Sequence, residues 1–196
     1  MNTDTPQRYG GPDPDALTDA QRRVSEVITS GPRGQVVGPL KVWLCSPRMA
    51  DRAQALGQYA RYDSSLPRHL SELAILVTAR IWSSGFEWSH HVPTALSAGI
   101  SWGVINAIGQ GQRPELTEPE MRAVFDFAVE LHRDRAVSDS VYQQAEQALG
   151  TQGLVDLVAI CGYYSLISMT INAFDVPDGD GPALPVLDLA PERMFR

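Results

Sequence analysis

The stretch that decides the fold runs from Leu70 to Gly99 and reads LSELAILVTARIWSSGFEWSHHVPTALSAG. Its first half is apolar on almost every side apart from one acid, Glu72, which is typical of a helix buried at the centre of a bundle. On one unbroken helix Glu72 and Glu87 would lie roughly 22 Å apart. The break at Ser83-Ser84-Gly85 instead permits a helical hairpin, which would bring both acids and His91 to one pocket.

The composition describes a soluble globular protein that does not bind nucleic acid. Of 196 residues, 43% are hydrophobic and 20% are charged, and the net charge is −7. Phosphate binding needs clustered basic residues, which an acidic chain with a single lysine, Lys41, does not offer. Positive charge is therefore carried by arginine, which favours planar, bidentate recognition of anions.

The sequence also favours a cytoplasmic protein without a membrane partner. The N-terminus is polar and proline-rich, unlike a signal peptide, and no apolar run reaches the roughly 18 residues of a membrane helix. The two cysteines, Cys45 and Cys161, lie far apart and form no Cys-x-x-Cys motif. We therefore expect them to be free thiols in a reducing compartment.

The rest of the chain predicts an all-α, single-domain helical bundle of about seven to eight helices around the central hairpin. We expect a flexible segment at 1–13, the helical domain at 14–174 and an irregular arm at 175–196, whose leucines and Phe195 suit packing on a neighbouring surface. The segment 34–47 contains two prolines and two glycines, so it is predicted to be extended or looped. Thr117 to Glu120 matches a capping box at a helix start. Helical periodicity is found in 14–30, 48–62, 67–82, 86–99, 101–109, 117–134, 138–149 and 151–174.

Glu72 has two interpretations. Desolvation within an apolar helix disfavours the ionised form of a carboxylate, which suits it to proton transfer. Alternatively, Glu72 forms a structural salt bridge with Arg68, at i−4, or with an arginine across the core.

Glu87 and His91 are also open to a structural explanation. Ser84-Gly85-Phe86-Glu87 fits the capping-box pattern, so Glu87 is either a helix cap or a group that faces a pocket. His91 lies one turn after Glu87 and three residues after Trp88, on the side of the helix that faces the core. It is either a buried structural histidine or the partner of Glu87 in an acid–base pair. His90 lies off that side and is expected at the rim.

The sequence predicts no cofactor and no metal. Glu87-x-x-His90 is half of a di-iron pattern, but such sites need two of these motifs and only one is present. A single metal held by Glu72, Glu87 and a histidine is left open as an alternative. Arg61 and Arg68 flank the entry to the first hairpin helix and are either carboxylate clamps or solvated surface residues.

The run from Pro67 to Gly99 resembles the carboxymuconolactone decarboxylase family, which shares its fold with alkylhydroperoxidase D. Glu-Leu-Ala-Ile-Leu and Glu-Trp-x-x-His are its most specific pieces, and the similarity extends loosely over about three-quarters of the chain. The resemblance implies an all-helical protomer with a central hairpin. It also implies a homo-oligomer (a dimer, trimer or hexamer) with sites near subunit interfaces.

The resemblance also implies roles for individual residues. The peroxidase branch carries a Cys-x-x-Cys whose two positions fall on Ser84 and Glu87, whereas its histidine and glutamate match His91 and Glu72. Without the thiol pair, hydroperoxide reduction through a disulfide has no chemistry to run on. The implied activity is that of a cofactor-independent lyase acting on a small carboxylated lactone or keto acid.

In this interpretation Glu72, Glu87 and His91 are catalytic: His91 or Glu72 protonates the carbanion left by CO₂, and Glu87 orients the histidine. The substrate-binding residues are His90, Arg61, Trp88 and Tyr164. Two alternatives stay open. One is an isomerase or hydratase that uses the same acid–base set, and the other is a non-catalytic ligand-binding or assembly protein.

Overall fold

A computed structural model describes Arg8 and residues 10–196, so the segment proposed to be flexible lies largely outside the described residues. In this part of the chain eight α-helices form and no β-strand is present, as the all-α prediction requires. The helices are α1 (Asp19–Ser30), α2 (Pro39–Trp43), α3 (Pro47–Gln58), α4 (Arg68–Ile81), α5 (Gly85–Ser97), α6 (Trp102–Gly109), α7 (Pro119–Arg133) and α8 (Asp139–Phe174).

The predicted hairpin is formed by α4 and α5 at the centre of the bundle. Every residue of α4 from Leu70 to Ile81 is buried, because the helix is apolar all round and is surrounded by α5, α7 and α8. The chain reverses at Ser83, which has a φ of 50°. Ser84 is extended and is the N-cap residue of α5. The two helices therefore lie side by side, with α4 as the inner member.

The last helix, α8, is divided at Gly150, where the sequence predicts two separate helices. Gly150 has a φ of 69° and a ψ of 170°, which interrupts the helix. By length and composition α8 is the one described helix that is apolar enough to cross a membrane. However, 61% of its apolar 18-residue stretch is buried inside the fold, as in a core helix.

Two local predictions were wrong. The segment 34–47 was predicted to be extended or looped, but Pro39–Trp43 is a helix that starts after Gly38, which has a φ of 51°. Proline suits the first turn of a helix, and Leu40, Val42 and Trp43 are buried. The expected capping box at 117–120 is also missing, since the helix there begins after Glu118 without a side-chain cap.

The irregular arm at 175–196 packs on the same chain. The Phe195 ring lies against Phe125, with centroids 5.4 Å apart. The amide of Gly179 donates to Oγ of Ser89 on α5 at 3.0 Å. The carbonyl of Pro185 accepts from the buried guanidinium of Arg80 at 2.6 Å. The arm thus covers the outside of the hairpin near the start of α5.

Candidate active site

His91 lies between two carboxylates, one from each helix of the hairpin. Its Nδ1 is 2.7 Å from Oε2 of Glu72 on α4. Its Nε2 is 3.2 Å from Oε2 of Glu87, one turn earlier on α5. All three side chains are buried. The hairpin therefore brings together the three residues that the sequence suggested as catalytic.

This arrangement requires an additional proton on one of the three groups. A neutral imidazole has one N–H, so it can donate to only one of two flanking carboxylates. The second contact requires either a protonated imidazole or a protonated carboxyl group. Burial by itself lowers the pKa of His91, but the two carboxylates, Glu72 foremost, outweigh it and raise the pKa above its ordinary value. The Glu72–His91–Glu87 set is thus built to retain a proton.

Glu87 is not a member of a capping box. Ser84 is the N-cap residue of α5, but its side chain makes no capping hydrogen bond, and its Oγ is buried without a partner. Glu87 instead points to Nε2 of His91.

A cavity of about 270 Å³ opens onto one end of this set. Glu87 and His91 line it, whereas Glu72 does not. Glu72 therefore supports His91 from the interior, and Glu87 is the carboxyl group within reach of a ligand. The other lining residues come from the α1–α2 connection, α2, the turn after α3, α5 and α8: Pro32, Arg33, Gln35, Val37, Pro39, Leu40, Arg61, Tyr62, Phe86, His90, Tyr163, Tyr164 and Ile167.

His90 lies at the cavity, as expected, and is neutral at physiological pH. Its ring stacks on Phe86 with centroids 6.1 Å apart. Burial, followed by the charges of His91 and Arg61, lowers its pKa to about 4. His90 can therefore donate or accept a hydrogen bond at the cavity but contributes no positive charge there.

Arg61 reaches the cavity from an unusual turn. The five residues Tyr59–Asp63, directly after α3, form a π-helical turn, a local feature that is frequent at functional sites. Asp156 of α8 accepts from the hydroxyl of Tyr59, the first residue of this turn, at 2.8 Å and from the amide of Ser65, two residues beyond its end, at 2.8 Å. The backbone that carries Arg61 is therefore anchored to α8, and the Nε of Arg61 is buried without a hydrogen-bond partner.

Two tyrosines of α8 complete the wall of the cavity. The ring of Tyr164, a predicted binding residue, packs perpendicular to the His91 ring with centroids 5.0 Å apart. Tyr163 accepts a hydrogen bond at 3.1 Å from Nη2 of Arg33. Burial raises the pKa of Tyr163 to about 12 and holds the pKa of Tyr164 well above its ordinary value, so both phenols stay protonated. Sequence reasoning gave no role to Arg33 or Tyr163, because the contact joins positions 130 residues apart.

The structure does not place Trp88 at the cavity. Three residues correspond to about 300° around a helix, so Trp88 lies about 60° away from His91. Its indole is buried and packs beside Gly109 of α6, where a Cβ atom would stand 3.1 Å from the ring. Trp88 therefore belongs to the core between α5 and α6.

The site is not arranged as a set of metal ligands. Both nitrogens of His91 are directed at carboxylates, so the three side chains form a row instead of surrounding a common centre. Over Arg8 and residues 10–196, no group of three or more His, Cys, Asp or Glu side chains is placed to hold a metal ion.

Comparison with known proteins gives one family and one fold. Residues 47–130, which include α4, α5 and the Glu72–His91–Glu87 set, match the sequence profile of the Carboxymuconolactone decarboxylase family. No functionally curated protein matches the chain.

Three solved structures share the fold at low sequence identity. An uncharacterized peroxidase-related protein from Silicibacter sp. TM1040 superposes with a TM-score of 0.72 and 15% identity, covering 92% of this chain and 96% of its own. A second such protein, from Ralstonia eutropha JMP134 and described as an alkylhydroperoxidase AhpD core, has a TM-score of 0.70 and 18% identity, covering 89% and 93%. A protein of unknown function from Agrobacterium tumefaciens, described as a putative antioxidant defence protein AhpD, has a TM-score of 0.63 and 15% identity, covering 73% and 99%.

Proposed function

Through residues 47–130 the chain belongs to the carboxymuconolactone decarboxylase family, and from this premise we propose that it is a cofactor-independent lyase that works by proton transfer. Its substrate is a small carboxylated lactone or keto acid. The observation that carries the proposal is the position of His91, whose two ring nitrogens contact one interior carboxylate and one carboxylate at the cavity.

The proposed reaction begins with a substrate carboxylate bound in the cavity. The bond between this carboxylate and the adjacent carbon breaks, CO₂ departs, and the electron pair is delocalised as an enolate into a carbonyl group attached to that carbon. A proton held between Glu87 and His91 then moves to that carbon, and solvent restores it. Because Glu87 lines the cavity and Glu72 does not, Glu87 faces the substrate and Glu72 orients His91, which reverses the roles expected from the sequence.

The cysteines support proton transfer over thiol chemistry, although the structural neighbours are described as peroxidase-related. Ser84 and Glu87 stand where the peroxidase branch keeps its thiols. Neither Cys45 nor Cys161 lines the cavity. Cys161 is buried, and burial raises its pKa to about 12, which disfavours the thiolate that peroxide reduction requires.

Turnover by two isosteric variants tests the proposal. CO₂ release and product structure are measured for a panel of carboxylated lactones and keto acids with the wild type, Glu87→Gln and His91→Asn. We expect each variant to lose about 10²–10⁴-fold in kcat, the usual contribution of a positioned acid or base. Glu115→Gln, which changes an exposed glutamate outside the cavity, is the matched control and is expected to keep full activity.

Two results would contradict the proposal in different ways. If Glu87→Gln and His91→Asn both turn over every accepted substrate as the wild type does, proton transfer by this set is wrong. If the variants lose activity but the wild type yields an isomer or a hydrated product without CO₂, the acid–base set stands and the lyase assignment is replaced.

A further inference from the structure

Arg33 and Arg61 are two guanidinium groups in one cavity without a carboxylate partner. Both arginines line the cavity, and among the described residues neither forms a salt bridge with an acidic side chain. The Nε of Arg61 is buried and makes no hydrogen bond to the protein. A buried donor without a partner is costly, so this nitrogen is available to a ligand that accepts.

Tyr163 adds a third donor beside Arg33. Its oxygen accepts from Nη2 of Arg33 at 3.1 Å, which leaves the phenolic hydrogen without a partner among the described residues. Gly57 makes room for this pair: a Cβ atom there would clash with the Tyr163 ring and would stand 2.5 Å from Nη2 of Arg33. The position of the Arg33–Tyr163 pair therefore depends on the close packing of α3 against α8 at Gly57.

We propose that Arg33, Arg61 and the Tyr163 hydroxyl form a subsite for a carboxylate group of the ligand, in the same cavity as Glu87 and His91. This inference rests on the proposed function only in taking the bound carboxylate as part of a substrate. Binding of the carboxylate does not require any reaction. Arg33 and Tyr163 lie outside the family-matched residues 47–130, so the family match does not assign the subsite.

The chemistry of the three donors selects the class of ligand. Guanidinium groups only donate hydrogen bonds, and their planar forks match the two oxygens of a carboxylate. The neighbouring His90 is neutral, since its pKa is lowered to about 4 by burial, so it adds no positive charge to that of the two arginines. A cavity of about 270 Å³ lies at the small end of ligand pockets and suits a compound of a few carbon atoms.

The subsite also gives the cavity a direction. Two arginines provide an anion-binding wall, and Glu87 provides an acidic one. A compound with one carboxylate and one reactive carbon binds with its carboxylate at the arginines and leaves the rest of the molecule to Glu87 and His91. Orientation of this kind is a large part of catalytic rate enhancement.

Calorimetric titration with pyruvate and with its uncharged amide, pyruvamide, tests the subsite. We expect the wild type to bind pyruvate and to discriminate against pyruvamide. Arg33→Met and Arg61→Met should each weaken pyruvate binding by about 10–100-fold, since a hydrogen bond to a charged group contributes about 1.5–3 kcal/mol. Arg48→Met, at an exposed arginine that does not line this cavity, is the control and should bind as the wild type does.

Tyr163→Phe protects the test against a folding artefact, because it removes one hydroxyl and keeps the ring. It should weaken pyruvate binding by several-fold while thermal unfolding stays close to that of the wild type. The subsite is refuted if pyruvate and pyruvamide bind equally, if the wild type shows no saturable binding of pyruvate, or if both arginine variants bind as the wild type does.

The same titration separates this inference from the proposed function. Pyruvate binding that depends on Arg33 and Arg61, together with full turnover by Glu87→Gln, leaves the subsite standing and rejects the lyase mechanism. Turnover that depends on Glu87, together with pyruvate binding that is indifferent to both arginines, rejects the subsite alone.

Discussion

The carboxylate of Glu72 meets Nδ1 of His91 at 2.7 Å, at a point where both residues are only 1% exposed. This contact joins the inner helix of the hairpin to the outer one. It also decides how His91 behaves at the cavity, because the other ring nitrogen faces Glu87. A buried pair of this kind depends strongly on each partner, since removal of one leaves the other desolvated and uncompensated.

Glu72→Gln is expected to make His91 easier to deprotonate. The charge of Glu72 is the leading contribution that raises the pKa of His91, so an uncharged isostere lets burial lower that pKa. The pH dependence of kcat/KM should shift accordingly, with a loss of about 10–100-fold in activity, as for other residues that support a reactive histidine.

The sign of the accompanying stability change follows from the same contact. A histidine with a raised pKa stabilises the fold fully below its unfolded value of about 6.5, and this contribution is lost as the pH rises through the folded value. Glu72→Gln should therefore flatten the fall in stability on the alkaline side, as measured by thermal unfolding across pH. If NMR shows that His91 has the same pKa in Glu72→Gln as in the wild type, this explanation is wrong.

His132 is expected to make the protein sensitive to acid. Burial lowers the pKa of His132 to about 4, and its Nε2 lies 2.9 Å from Oγ1 of Thr78. Between pH 4 and 6.5 the unfolded chain binds a proton that the folded chain does not, so stability rises with pH across this window. The shift corresponds to about 3 kcal/mol at most.

Urea unfolding between pH 4 and 7 measures this effect. His132→Gln should reduce the slope of stability against pH in that window. Thr78→Val is the matched control, because it removes the hydroxyl contact but keeps the titrating ring, and it should lower stability without abolishing the slope. An equal slope in the wild type and His132→Gln would contradict the assignment.

Asp156→Asn is expected to loosen the turn that carries Arg61. Asp156 accepts from Tyr59, the first residue of the turn, and from the amide and hydroxyl of Ser65, two residues beyond its end, at 2.6–2.8 Å. An amide accepts fewer of these bonds, so we expect a loss of about 1–3 kcal/mol in stability. KM for a carboxylated substrate should rise more than kcat falls, because Arg61 is displaced while the Glu72–His91–Glu87 set is untouched.

Asp63→Asn is the control for that measurement, since Asp63 is exposed at the end of the same turn. It should leave both KM and stability close to wild-type values. If Asp63→Asn and Asp156→Asn have equal effects, loss of any negative charge near the turn is enough to raise KM and lower stability. The positioning role of Asp156 would then be rejected.

Arg80→Lys is expected to detach the C-terminal arm. The guanidinium of Arg80 is 2% exposed and donates to the carbonyls of Gly109 and Pro185 and to the hydroxyl of Ser83. An ammonium group cannot reproduce this planar fork, so stability should fall by about 2–4 kcal/mol. Hydrogen exchange of the amides in 179–189 should increase, whereas the exposed Arg68→Lys should leave it unchanged.

The hairpin and the meeting of Glu72, Glu87 and His91 could be predicted from the sequence because both depend on local patterns. An all-round apolar helix, a break at 83–85 and a histidine one turn after Glu87 are all visible within thirty residues. The choice between a cap and a cavity-facing role for Glu87 was not visible, because the third position of a helix serves both. The structure decides it through the contact of Glu87 with His91.

Features that depend on distant contacts were not predicted. The helix Pro39–Trp43 is short, and it is secured by burial and by a hydrogen bond from Trp43 to Thr170 on α8. Arg33 is held at the cavity by its hydrogen bond to Tyr163, and the Trp88 ring packs in the space beside Gly109. None of these relationships has a sequence motif, since each joins residues from different helices or loops.

The way in which the His91 ring is held limits how the site can move. Each nitrogen faces a carboxylate, and the Tyr164 ring packs perpendicular to the imidazole. Rotation of the imidazole would break contacts on both sides at once, so the ring acts as a stationary bridge. In the proposed mechanism, therefore, a proton moves between Glu87, His91 and the substrate while the imidazole ring keeps its position.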